Sequence, residues 1–271
     1  MEDALATASS LEMLHTFTLL HDDIMDQDEK RRGVPSVHTN WGIPIAIVAG
    51  DLLFAKVYEV ITKFTNSKRV KPKRILQVVK EISEATIVLC EGQSRDIIFQ
   101  TKETVSEAEY FKMIKGKTAA LFKSSARCGA LLGGGTKTQV KRLGEFGFYS
   151  GIAFQVIDDI LALTADENVL KKPVGNDIRE GKRTLMIVYA LEKASKSQRK
   201  QILETLGNKD ASTEEIKETI NLIETLGAIH YAKKLADKYI KKAKKALSLF
   251  PNSEDKKSLL DLADLIFDRQ H

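Results

Sequence analysis

Leu19–Arg32 reads LLHDDIMDQDEKRR and closes an apolar run, Leu11 to Leu20, with three carboxylates, Asp22, Asp23 and Asp26. The run suits a helix, and at about 3.6 residues per turn Asp22 and Asp26 stack on one face with Asp23 beside them. Carboxylates this close repel one another and depress helix stability, so a chain that keeps them at a helix end calls for a cation to hold them. Magnesium suits hard oxygen ligands. It takes one or two protein carboxylates and completes its octahedron with water and substrate phosphate. Arg31 and Arg32, a few positions on, present forked donors of the kind that grip phosphate oxygens.

A second stretch, Phe154–Thr184, reads FQVIDDILALTADENVLKKPVGNDIREGKRT. Gln155 sits one turn ahead of the Asp158/Asp159 pair on another apolar helix, and Lys172, Asp177 and Lys182 follow in a loop. Two aspartate-rich helices, each trailed by basic residues, can face each other across a cavity that holds several magnesium ions and a diphosphate.

Both stretches, in this order and with Gly116-Lys117-Thr118 between them, resemble the trans-isoprenyl diphosphate synthases, the polyprenyl synthetase family. The match to HDDIMDxDxxRRGxPxxH runs from His21 to His38, and FQxxDD and KPVGxDxREGKRT are matched in the second stretch. The resemblance extends from about Leu5 to the C-terminus. It implies an all-α fold, a single-domain helical bundle of the isoprenoid synthase type around a central cavity, and a homodimer. It also implies head-to-tail prenyl transfer, in which isopentenyl diphosphate is condensed with an allylic diphosphate (dimethylallyl, geranyl or farnesyl).

The resemblance assigns the roles residue by residue. Asp22, Asp26 and Asp158 hold magnesium, three ions per site when the diphosphate is bound; Asp23 and Asp159 complete the catalytic aspartates. Arg31, Lys117 and Lys172 grip the allylic diphosphate, with Lys182, Thr118, Gln155 and Asp177 in support, and His15 and Arg32 touch isopentenyl diphosphate. Product length follows from Phe17 and Thr18, five and four positions before Asp22. An aromatic followed by a small residue there resembles the archaeal-type geranylgeranyl synthases, so the expected product has twenty carbons.

Two departures from the family pattern stand out. The second motif usually ends in a third aspartate where this chain has Ala162, with Asp166 two turns from Asp158 as a substitute. Family members also carry N-terminal helices with a Gly-Lys-Arg-x-Arg-Pro type motif. Residues 1–271 begin after it, so they read as a synthase domain lacking the usual N-terminal helices, with poor affinity expected for isopentenyl diphosphate. These departures favour one rival, a non-catalytic or regulatory subunit of a heteromeric synthase. Other rivals are a farnesyl or longer-chain synthase and a terpene cyclase, but KPVGNDIREGKRT is unlike the Asn- and Ser/Thr-bearing cyclase motif.

The remaining residues agree with a globular enzyme. A chain of 271 residues, 43% hydrophobic and without a Pro/Gly/Ser-rich linker, can bury one sizeable core. The net charge of +5 favours small anions, and no aromatic-interleaved basic patch marks nucleic-acid binding. Cys90 and Cys128 are far apart and read as buried, reduced thiols of a cytoplasmic protein. No signal peptide or membrane-spanning run is read. Glu12 and His15 form a Glu-x-x-His pair, yet no second pair exists, which excludes a di-iron bundle.

Helical periodicity is expected over 5–25, 43–65, 73–99, 140–163, 185–193, 214–226, 229–249 and 258–268, with a loop over 27–41. Ser106/Glu109 and Ser212/Glu215 read as capping boxes, and Gly133-Gly134-Gly135 as a helix terminator. Asp51 reads either as a support for the basic residues of the site or as a cap or buried pair, Asp96 as an organiser of neighbouring groups, and the lysines at 241, 242, 244 and 245 as a solvated face.

Overall fold

The computed structural model describes residues 2–65, 68–164 and 175–269. The apolar spacing and the caps build α1 (Glu2–Met25), α2 (Val37–Trp41), α3 (Ile43–Phe64), α4 (Pro72–Thr101), α5 (Glu107–Ile114), α6 (Ala120–Leu132), α7 (Lys137–Thr164), α8 (Asn176–Arg179), α9 (Leu185–Lys193), α10 (Lys196–Thr205), α11 (Thr213–Thr225), α12 (Ala228–Ala246) and α13 (Glu254–Asp268). The all-α expectation holds. Among the described residues the one sheet is a hairpin of two short strands, β1 (Lys30–Arg31) and β2 (Val34–Pro35).

That hairpin and α10 were not anticipated, nor were the short helices α2 and α8, which fall in stretches expected as loops. Helix α10 buries only Ile202 and Thr205, too little for a periodic signal, and starts at a third capping box, Ser195 with Gln198. The two expected boxes, Ser106/Glu109 and Ser212/Glu215, are both formed. In the hairpin Arg31 pairs with Val34, so Arg32 and Gly33 form a two-residue turn. Both have positive φ, 53° and 83°, as a type I′ turn requires. Arg32 is a poor residue for that conformation, which hides the turn in the sequence.

The chain forms two compact units, whose boundaries fall inside α4, α6 and α7. In the first, residues 1–84 and 124–141, α1 lies along α3 and buries Ala6, Leu14, Ala46, Val57 and Ile61. Arg127 donates to Glu81 at 2.6 Å, and Arg74 donates to the carbonyls of Leu131 and Gly134 that close α6. The glycine run therefore ends a helix, as expected.

The second unit, residues 85–123 and 142–271, packs around α7. Ile152, Val156, Ile157 and Ile160 meet Tyr110 and Ile114 of α5, Leu185, Met186 and Ile187 of α9, and the alanine stripe Ala228, Ala232 and Ala236 of α12. Each fully buried isoleucine contributes roughly 1.5–3 kcal/mol of burial. Helix α7 is long and apolar enough to cross a membrane by length and composition, which the sequence reading had not registered. Most of it is buried in this unit, so it is the core helix.

Helix α5 passes into α6 through a π-helical turn, Lys115–Ala119. A Cβ on Gly92 would lie 2.1 Å from the Lys117 nitrogen, and one on Gly116 would lie 2.7 Å from the Val88 carbonyl oxygen. The two glycines let α4 and the π turn touch backbone to backbone. The extra residue in the turn re-aims the side chains that follow, a use of π turns common at functional sites.

Three smaller expectations change. Cys128 is buried, with its thiol pushed up to about 12 by burial, but Cys90 is exposed and is not a core residue. Asp51 is exposed, not a buried pair. Of the lysine face, residues 241, 242 and 245 are exposed, while Lys244 pairs with Asp264.

Candidate active site

In the first unit, α1 ends at Met25, inside the acidic cluster, with Asp26 the next residue. Adjacent residues on a helix point about 100° apart, so Asp22 and Asp23 cannot share a direction. Asp23 turns inward and is buried, where its Oδ1 accepts from Arg31 Nε at 2.8 Å and from Nη2 as well. Asp28 Oδ2 stands 3.5 Å from the same guanidinium. Burial disfavours the Arg31 charge, but the hydrogen bond and charge of Asp23, with Asp28 and Asp22, prevail and raise its pKa. Asp22 and Asp26 remain half-buried, one turn apart.

Near them His15 is half-buried, and its pKa is lowered, first by burial, with Arg32 and Arg31 acting the same way and Glu12 against. Thr18 donates its hydroxyl to the His15 carbonyl at 2.7 Å. Phe17 is half-buried, its ring 4.7 Å from His21 and 5.2 Å from Phe54, and Phe54 meets Tyr58 edge-on at 5.4 Å. The aromatics of α3, spaced one turn apart, were not singled out in the sequence. Gly50 admits His21, since a Cβ there would lie 2.3 Å from its Nε2.

In the second unit the same division recurs on α7. Asp158 is exposed, whereas Asp159 is buried. Tyr110 donates its hydroxyl to Asp159 Oδ2 at 2.7 Å, and Gln155 Nε2 donates to Oδ1 at 2.8 Å. Gln155 Oε1 accepts in turn from the Thr118 hydroxyl at 2.5 Å. Burial pushes the Asp159 carboxyl up to about 7 against these two donors, with Asp177 and Asp158 adding to the rise. The Tyr110 phenol is pushed up as well, by burial and the facing carboxylate.

Lys117, delivered by the π turn, donates to buried Asp96 at 2.5 Å, so Asp96 does organise a neighbour. Lys182 stands 2.7 Å from Glu180 and 3.9 Å from Asp177. Lys172 and Asp166 lie outside the described residues, and Arg32 is exposed on the hairpin turn. Tyr110 escaped the sequence reading altogether. Its position in α5 looks like any core aromatic beside Phe111, and only its buried hydroxyl distinguishes it.

Among the described residues no three His, Cys, Asp or Glu side chains group to hold a metal by themselves. That fits magnesium, which needs no protein-only cage and shares water and phosphate oxygens with one or two carboxylates. Asp22 with Asp26 in the first unit, and Asp158 in the second, are donors of that kind.

Helices bearing these two aspartate motifs define the isoprenoid synthase class of all-α enzymes. The polyprenyl synthetase family model matches residues 1–223; the chain belongs to that family and is a prenyltransferase. The geranylgeranyl diphosphate synthase of Sulfolobus acidocaldarius is 43% identical over 254 residues, covering 94% of this chain and 76% of that protein. The crystal structure of geranylgeranyl pyrophosphate synthetase from Pyrococcus horikoshii superposes with a TM-score of 0.91 at 42% identity, over 98% of this chain and 80% of the other. A polyprenyl synthase from Caulobacter crescentus, solved with calcium and isoprenyl diphosphate, gives a TM-score of 0.89 at 30% identity over 98% of this chain and 78% of the other.

Proposed function

We propose that this prenyltransferase makes geranylgeranyl diphosphate by magnesium-dependent, head-to-tail condensation of isopentenyl diphosphate with an allylic diphosphate. The observation that carries the reading is the division of the first acidic cluster: Asp23 is committed to Arg31, and Asp22 and Asp26 stand one turn apart. Such a donor set is incomplete as a protein cage and suited to ions shared with a substrate's phosphates. The Sulfolobus and Pyrococcus relatives carry that product in their names, and the Caulobacter structure holds a divalent cation with an isoprenyl diphosphate.

Asp22, Asp26 and Asp158 hold the magnesium ions, three when the diphosphate is bound. Magnesium held there would supply positive charge to neutralise the diphosphate and the leaving pyrophosphate. Arg31 is oriented by Asp23 and aims a fixed guanidinium at phosphate oxygens. Lys117 is held by Asp96 and supplies a second cation, with Lys172 and Lys182 adding theirs. Preorganised charge of this kind favours ionisation of the allylic C–O bond, after which the isopentenyl double bond attacks the allylic cation and the resulting cation gives up a proton to the departed pyrophosphate. His15 and Arg32 bind the isopentenyl diphosphate. The enzyme works as one domain, as a cytoplasmic homodimer.

Phe17, backed by Phe54, floors the chain-length pocket, and the small Thr18 beside it leaves room for twenty carbons. Incubation with magnesium, isopentenyl diphosphate and farnesyl diphosphate should yield the C20 diphosphate on chromatography. No prenyl product would refute the activity. A C20 product from Phe17→Ala, in place of longer chains, would refute the floor.

A further inference from the structure

Tyr110 has no side-chain exposure, and Phe111 beside it shows that a phenyl ring suits this core. Its hydroxyl is therefore the feature to explain. A buried polar group is costly unless bonded, and this one donates at 2.7 Å to Asp159. The Gln155 amide is anchored at both atoms: its nitrogen donates to Asp159 Oδ1 at 2.8 Å, and its oxygen accepts from the Thr118 hydroxyl. A threonine hydroxyl has one proton, and here it goes to Gln155. What remains on Thr118 is lone pairs, which diphosphate oxygens repel. The one donor this relay offers to an anion is the second N–H of Gln155.

We infer that Tyr110 is a positioning residue for the diphosphate: by pinning Asp159 it fixes the direction of the Gln155 amide, so that Gln155 and not Thr118 presents a hydrogen to phosphate. The inference rests on the proposed function, whose diphosphate it concerns. Without the phenol, Asp159 loses one of two donors and the amide is free to turn. Groups that orient ligand-binding residues from behind typically cost about 10- to 100-fold in affinity or activity when removed.

The test is calorimetric binding of inorganic pyrophosphate in the presence of magnesium, which needs no turnover. Tyr110→Phe and Gln155→Leu should each weaken binding at least about tenfold, and the double variant should be no worse than the weaker single, because both remove the same donor. Tyr110→Phe within about twofold of the parent, or effects that multiply, would overturn the inference. A merely structural tyrosine would lower thermal stability without that coupling. Should Tyr110→Phe fail to fold, Thr118→Val tests the relay from its other end: it should cost nothing further once Gln155 is leucine, and a multiplying loss would overturn the inference. A parent that binds pyrophosphate yet forms no prenyl product would count against the proposed function alone.

Discussion

The ends of α1 and α7 carry the same dipeptide, Asp-Asp, and use it in the same division of labour with different chemistry. In each pair the second aspartate turns inward: Asp23 to the Arg31 guanidinium, Asp159 to Tyr110 and Gln155. The first of each pair, Asp22 or Asp158, keeps more contact with solvent. Helical geometry explains why neighbours cannot both face one ion. What differs is the partner. Asp23 answers a full positive charge, whereas among the described residues Asp159 is met by the neutral donors Tyr110 and Gln155, and burial lifts its carboxyl to about 7.

The comparison breaks if the outward and inward aspartates respond alike. On the proposed reading Asp22 and Asp158 hold magnesium, whose charge stabilisation is worth several kcal/mol, so Asp22→Asn or Asp158→Asn should lower kcat by about 10²–10³-fold or more while leaving the melting temperature nearly unchanged. Steady-state kinetics and calorimetry on the same samples would decide it. Equal losses from the inward pair with no change in stability would erase the distinction.

The inward pair should separate by stability. Asp23→Asn strands the half-buried Arg31 charge and should cost about 2 kcal/mol in urea unfolding, below the range for fully buried pairs because the guanidinium is 30% exposed. Asp159→Asn swaps a carboxylate that burial already disfavours for a neutral isostere, and should stay within about 1 kcal/mol of the parent. The reverse order would show that neutral donors hold Asp159 more firmly than an ion pair holds Asp23.

The hairpin sharpens the contrast further. Arg32 is held at φ 53°, a conformation that favours asparagine or glycine, at a cost of roughly 1–2 kcal/mol. Arg32→Asn should therefore raise stability by about 0.5–1 kcal/mol and, given the proposed binding role of Arg32, reduce activity. A stability loss would mean that the arginine makes compensating contacts.

The smallest effect belongs to His15. Its folded pKa is lowered, so below about pH 6.5 the unfolded chain takes up a proton that the folded chain resists, and stability falls as pH drops. His15→Gln removes that penalty. Between pH 7 and 5 its melting temperature should fall by about 1–2 °C less than the parent's. An identical fall in both would place the lost stability elsewhere.

Most of the helices, both anticipated capping boxes, the glycine terminator and both acidic motifs were legible because they are local. A 3.6-residue apolar period, a serine three positions before a glutamate, and adjacent carboxylates need no knowledge of distant residues. Helix α10 was hidden by its few apolar residues, and the β1–β2 hairpin by an arginine at a position that usually holds asparagine or glycine. The Tyr110–Asp159–Gln155–Thr118 relay was illegible, because its members span 49 positions and its tyrosine resembles filler.

By itself, then, the amino-acid order determined which segments coil and where the family's acidic and basic motifs fall along them. Only packing decided which aspartate of each pair turns inward, and that Gly92 and Gly116 let a π turn deliver Lys117 to Asp96. The reason is physical: periodicity and capping are written in neighbours three or four residues apart. Burial of a single hydroxyl or carboxylate depends on surfaces that meet only after the chain has folded.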